Sequence, residues 1–146
     1  MPLWEWAVEA YSEPGVEPAC LALQDDHGQN VSYLLWAAWA RTVDPALLAR
    51  AADIARRWEV LTLGPIRLVC RALKPGFSGV PDGAREGLRE DVKAAELRAE
   101  RVLLEALEAL GGVGDAEMPR ALQAASAAWG NAAPAKALAA LATALG

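Results

Sequence analysis

Apolar positions recur at intervals of three and four along most of the chain, the spacing that lines one face of a helix. Trp4, Val8 and Tyr11 fall at i, i+4 and i+7, with Leu3 and Ala7 beside them and Glu5 and Glu9 opposite. This predicts a short amphipathic helix over Leu3–Ser12 with that stripe as its core face. Pro14-Gly15 breaks it. A second helix is predicted over Glu17–Asp26, with Cys20, Leu21 and Leu23 inward and Gly28 as a left-handed cap. Asn30 or Gln29 opens a third, running to Arg41. Its centre, YLLWAAWA, is apolar on every side and predicts the most buried element. Asp44-Pro45 is an N-cap followed by proline at the first helical position, and opens a fourth helix reaching Trp58 or Val60. Gly64-Pro65 reads as a break before a fifth, basic helix over Ile66–Leu73.

Lys74–Gly83 (KPGFSGVPDG) is the clearest loop. The longest helix follows, from Asp82 or Gly83 to Leu110. Leu88, Val92, Ala95, Ala99, Val102, Ala106 and Ala109 alternate by four and three, a heptad-like seam that Leu103, Leu107 and Leu110 widen. Gly111-Gly112-Val113-Gly114 ends it. Two short helices, Met118–Trp129 and Pro134–Leu145, fit the Ala-rich remainder. The expected fold is all-α: a compact multi-helix bundle of six to eight helices with one long helix in the C-terminal half. The expected organisation is a helical domain over 1–110 and an Ala-rich tail over 111–146, packed on it or appended to it.

Composition strengthens that fold class. The 146 residues include 33 Ala and 21 Leu, against only 15 Val, Ile and Thr together, which excludes an all-β fold. The formal net charge of −5 works against nucleic acid and anionic membrane as partners. The charge is uneven, however. Residues 1–40 carry six acids and no Lys or Arg, whereas 56–74 carry Arg56, Arg57, Arg67, Arg71 and Lys74 against Glu59 alone. These segments can pair within one molecule or between two. Cys20 and Cys70 have no CxxC spacing and sit in apolar runs, as reduced buried thiols do. The N-terminus lacks the pattern of a signal peptide. The longest wholly apolar run, Leu34–Ala40, falls far short of the roughly 20 residues that cross a bilayer. The expected location is the cytoplasm.

Several residues also stand in a familiar order. Trp4, Tyr11, Pro14-Gly15-Val16, Ala19-Cys20-Leu21, Leu23-Gln24-Asp25, Gly28, Val31, Leu34-Leu35 and Trp39 lead the series. Trp58, Val60, Pro65, Arg67 and Leu73-Lys74 follow, then Lys93, Glu96-Leu97, Ala99-Glu100 and Arg101. The chain resembles an uncharacterised bacterial all-helical family, a domain of unknown function, over about residues 3–110. Trp6 departs from the phenylalanine usual there, and the tail after Leu110 has no counterpart. The resemblance implies a helical fold and carries no activity.

The best candidate chemistry lies in Gln24–Asn30, seven polar or glycine positions between two apolar helices. His27 is the only histidine and adjoins Asp25 and Asp26. Such a pair suits general base work, yet no nucleophile stands near it in sequence. The spacing fails that of a calcium loop, and one histidine is too few for zinc. A solvated interhelical turn is the simpler reading. Gln24, Asp25, His27 and Arg67 form the candidate binding or structural-polar site, with Arg67 reaching Asp25 from the basic helix. Trp6, Trp39 and Trp58 are the candidate interface residues. No catalytic residue, metal or cofactor is assigned, and the chain leans away from an enzyme. Association with a protein partner or a second copy is the first expectation. A small apolar or amphipathic ligand, held between helices near Trp36, Trp39 and Leu35, is the second. RNA binding through Arg56–Lys74 ranks last.

Overall fold

The computed structural model describes residues 1–146 and is helical throughout, with no strand. Its α-helical segments are α1 (Leu3–Ser12), α2 (Val16–His27), α3 (Val31–Ala40), α4 (Pro45–Trp58), α5 (Gly64–Ala72), α6 (Asp82–Glu108), α7 (Met118–Trp129) and α8 (Ala135–Leu145). No helix is long and apolar enough to cross a membrane.

The most apolar helix forms the centre. Tyr33, Leu34, Leu35, Trp36, Ala37, Ala38 and Ala40 of α3 are all buried. α1, α2, α4, α6 and α7 pack around it, and α8 closes against α2 and α7. Local signals set the ends as the sequence predicts. Asn30 Oδ1 accepts from the Tyr33 N–H (2.9 Å), and Asp44 Oδ1 from the Ala46 N–H (3.0 Å). Gly28 ends α2 in the left-handed conformation (φ 62°). α1 is capped from far away: Glu108 at the end of α6 accepts from the Leu3 N–H (2.8 Å).

Gly64-Pro65 does not break the chain. α4 passes through a π-helical turn, Glu59–Leu63, directly into α5. The wider turn lets the Gly64 N–H reach back to the Glu59 carbonyl, five residues earlier. A Cβ at Gly64 would lie 2.9 Å from that carbonyl oxygen, so only glycine fits. Proline, which disrupts an ordinary i→i−4 ladder, is absorbed where the ladder has already changed register.

The inward faces of α1, α2 and α6 also differ from the predicted ones. In α1 the core takes Leu3, Ala7 and Ala10, while Val8 and Tyr11 are exposed. Leu21 of α2 faces solvent. In α6 the buried row is Ala99, Leu103, Leu104 and Leu107. Most of the predicted seam, Leu88, Ala95, Val102, Ala106 and Ala109, lies outside. Alanine occurs on both sides of this helix, so spacing alone leaves its rotation open. The large leucines, which gain most from burial, decide it. The first half of α6 packs on α5, where Arg85 and Arg89 donate to the Leu73 and Cys70 carbonyls (3.1 and 3.2 Å) near the end of α5.

The residues after α6 pack closely. Gly114 and Ala116 donate to the Ala40 and Arg41 carbonyls (2.7 and 3.1 Å), and Arg41 Nε returns a bond to the Ala116 carbonyl (2.7 Å). A Cβ at Gly114 would sit 2.5 Å from the Arg41 oxygen, which makes glycine necessary there. Leu122 and Ala125 of α7 and Leu138 and Leu141 of α8 are wholly or almost wholly buried. Cys20 and Cys70 are free and buried. Burial, aided by Glu17, pushes the Cys20 thiol up to about 12, so it stays an uncharged core group.

Candidate functional site

The polar run between α2 and α3 splits into two parts with different surroundings. Gln29 and Asn30 are buried, whereas Asp25 and Asp26 are exposed. Gln29 holds α7 and the turn after it. Its Nε2 donates to the Asn131 carbonyl (3.1 Å), and Ser126 Oγ donates to its Oε1 (2.9 Å). The same Ser126 oxygen accepts from the Ala133 N–H (2.8 Å). Trp129 Nε1 donates to the Gly28 carbonyl (2.9 Å), and the Tyr33 hydroxyl donates to the Ala125 carbonyl (2.9 Å). Burial raises the Tyr33 hydroxyl well above its ordinary range, with Arg56 opposing. Arg56 lies over the Trp129 ring, 4.5 Å from its centre, and also donates to the Trp129 carbonyl.

Beside this latch lies a cavity of about 510 Å³. Trp4, Val8 and Tyr11 of α1 form one wall, and Leu97, Glu100 and Leu104 of α6 another. Val31, Ser32 and Leu35 of α3 also line it, Gly28, Gln29 and Trp129 of the latch reach it, and Gln24, Glu59 and Arg67 add its polar groups. The part of the α1 stripe left outside the core is thus the apolar wall of this cavity. A shallower groove, which shares Gln24, Glu59 and Arg67, continues along Asp25, Leu68 and Arg71.

Arg67 is the hub. Its Nη1 meets Glu59 Oε1 at 2.5 Å, its Nε meets Glu96 Oε1 at 3.2 Å, and its Nη2 stands 4.0 Å from Glu100 Oε1. Three carboxylates surround one guanidinium. Glu59 Oε2 is buried with no donor, and Glu100 accepts no hydrogen bond within the protein. Burial first, then Glu96 and Glu59, raises the Glu100 carboxyl above its ordinary range despite Arg67. Burial, then Cys20, Glu17 and Glu100, raises the Tyr11 hydroxyl to about 12. Both shifts mark a partly desolvated wall that disfavours further negative charge.

The structure brings Gln24 and Arg67 together on this cavity. It leaves Asp25 on the adjoining groove and His27 half-buried on α2. The expected Asp25–Arg67 pair does not form, because Glu59 and Glu96 already hold the guanidinium. Trp36 is fully buried and does not line the cavity, nor does Trp39; of that expected set only Leu35 does. Trp6, Trp39 and Trp58 are half-buried against the core. Trp39 Nε1 donates to the Met1 carbonyl (3.2 Å) and Trp58 Nε1 to the Ala99 carbonyl (3.0 Å). Sequence reasoning missed Tyr11, Glu59, Glu96, Leu97, Glu100 and Trp129 as one site. One signal was available: Glu96 and Glu100 stand four apart on α6, a like-charge pair that disfavours a helix unless a cation faces it. Trp4, Tyr11, Gln24, Arg67 and Glu100, which carry part of the family resemblance, all line this cavity.

No curated protein and no solved structure matches the chain. A family model described as "Protein of unknown function (DUF2390)" matches residues 2–107, and the chain belongs to that family. Trp129 is the one residue on the cavity wall from outside the matched segment.

Proposed function

We propose that this chain binds a small amphipathic molecule in the cavity between α1, α3 and α6. One observation carries the reading: an about 510 Å³ cavity with apolar and aromatic walls and a few charged groups gathered at Arg67. Ligand sites have this size and this mixture, since the apolar wall supplies affinity and a few polar groups fix orientation. No hydroxyl on its wall is hydrogen-bonded to a carboxylate, so a binding role fits better than a catalytic one. The free thiols fit a reducing compartment, and the cytoplasm is the location we favour.

The test is a native mass spectrum of the freshly purified chain, followed by titration with 1-octanol under tryptophan fluorescence. Trp4 and Trp129 line the cavity, so their emission should shift on filling. A clean unliganded mass together with an unchanged emission spectrum would overturn the reading.

Association is the second reading, favoured by a separate feature. Leu61 of the π-turn is 74% exposed and Leu68 of α5 is 64% exposed. Such apolar side chains suit a protein partner, a homodimer being the simplest form. A monomeric mass by light scattering at tens of micromolar would rule out the homodimer. Nucleic acid is not among the partners we propose, given the net charge of −5.

A further inference from the structure

We infer that the molecule seated in this cavity is an organic cation, an amine whose apolar body lies along Trp4, Val8, Tyr11 and Leu97 and whose ammonium faces Glu59 and Glu100. The inference rests on the binding reading above and adds the sign of the ligand's charge.

The charged groups on the cavity wall are Glu59, Glu100 and Arg67. Arg67 is the single cation among them, and it is committed to Glu59 and Glu96. An anionic ligand would meet one guanidinium, already hydrogen-bonded through Nη1 and Nε to Glu59 and Glu96, and would stand against two carboxylates on the same wall. An ammonium group meets the reverse situation. Glu100 lines the cavity and accepts no hydrogen bond within the protein, its one ionic neighbour being Arg67 Nη2 at 4.0 Å, so a donor arriving there breaks no existing hydrogen bond. Its neighbour Glu59 has one oxygen bonded to Arg67 and the other buried without a donor. That second oxygen is closed off from the cavity, so Glu59 adds negative charge beside Glu100 and Glu100 supplies the contact.

The shape agrees with the charge. Val8 and Leu97 are both about half exposed, and both line the same cavity. An apolar body laid between them would cover both and exclude water from the carboxylates beyond. A cation held by a desolvated carboxylate is bound more strongly than one in open solvent. The upward shift of the Glu100 carboxyl fits this picture, because a nearby positive charge relieves the crowding of negative charge.

The experiment uses three probes with one apolar body: octylamine, 1-octanol and octanoate. Each is titrated into the full chain at pH 8 and followed by calorimetry and tryptophan fluorescence. Octylamine should bind about tenfold more tightly than octanol, with octanoate weakest, as one charge-assisted hydrogen bond implies. Glu100→Gln should remove most of that preference, bringing the ratio of octylamine to octanol affinity down to about twofold or less. Glu59→Gln keeps the shape of the wall and provides a second variant if the first fails to fold. Octanol binding as tightly as octylamine, or octanoate binding more tightly, overturns the cation while leaving the cavity reading intact. Silence from all three probes overturns both.

Discussion

Two polar clusters stand side by side at the α2–α3 turn, and they are built on opposite rules. In the latch around Gln29 and Ser126 the groups find matching partners. Gln29 gives and receives, and the Ser126 hydroxyl does both at once. Around Arg67 the acids outnumber the cation, one carboxylate oxygen is orphaned and another carboxylate accepts nothing. A satisfied buried network fixes a fold, since each atom already has its partner. A network with acceptors left over, placed on a cavity, has capacity for something else. The contrast teaches that polarity in a helical core is read by its remainder. The latch leaves none, and the Arg67 cluster leaves two.

The sharpest way to break the contrast is at the latch. Ser126→Ala strands both Gln29 Oε1 and the Ala133 N–H in a buried site. Urea unfolding should report a loss of about 2–4 kcal/mol, since each buried unpaired group costs about 1–3 kcal/mol. A loss under about 0.5 kcal/mol, the size of an ordinary surface change, would show that the latch is not structural.

Gly114→Ala tests the other fastening of the tail. Its Cβ would enter the Arg41 carbonyl oxygen at 2.5 Å, and backbone cannot rotate away as a side chain can. We expect about 1–3 kcal/mol of destabilisation, typical of overpacking, with the α6–α7 connection becoming sensitive to proteolysis. An unchanged protease pattern would mean that this crossing is not a fixed contact.

At the cavity, Arg67→Met should cost less, about 1–2 kcal/mol by urea unfolding, because these groups retain partial contact with solvent. Added salt should recover part of the loss by screening the three acids. Salt should recover nothing in Ser126→Ala, where no charge is involved. Equal salt responses in the two variants would erase the distinction drawn between the clusters.

The smallest effect is a gain. Glu100 has a folded-state pKa above its ordinary 4.5, so the native protein binds its proton more tightly than the unfolded chain does. This group therefore favours folding most below that value, and its contribution declines as pH rises through and beyond it. Glu100→Gln removes the decline. Its thermal midpoint should lie slightly above that of the parent at pH 7, and the two should converge toward pH 4. A variant less stable at pH 7 would mean that the carboxylate is a net partner of Arg67 and not a surplus one.

Much of the helical layout was legible in the chain. The Asp44 cap, the Gly28 end, the apolar α3 and the span Met118–Trp129 all follow from residues within a turn or two of each other. The candidate site was only half legible. Gln24 and Arg67 stand out in the sequence, but the acids that hold Arg67 do not, because Glu59, Glu96 and Asp25 are equally good partners until the helices are placed. The latch was invisible for the same reason. Gln29 and Ser126 lie 97 residues apart, and nothing local marks them as a pair.

The sequence by itself determined that this protein is helical, where most helices begin and end, and which helix is the most buried. Those properties rest on propensity, caps and periodicity, which act over three or four residues. Tertiary structure alone decided the rotation of α1 and α6, the passage of α4 into α5 despite Gly64-Pro65, and the docking of α7 and α8. It also decided that half of the α1 stripe should line a cavity beside an acid-rich cluster. These outcomes depend on which surfaces meet across about a hundred residues of chain. A helix rich in alanine offers more than one acceptable face, and packing selects among them.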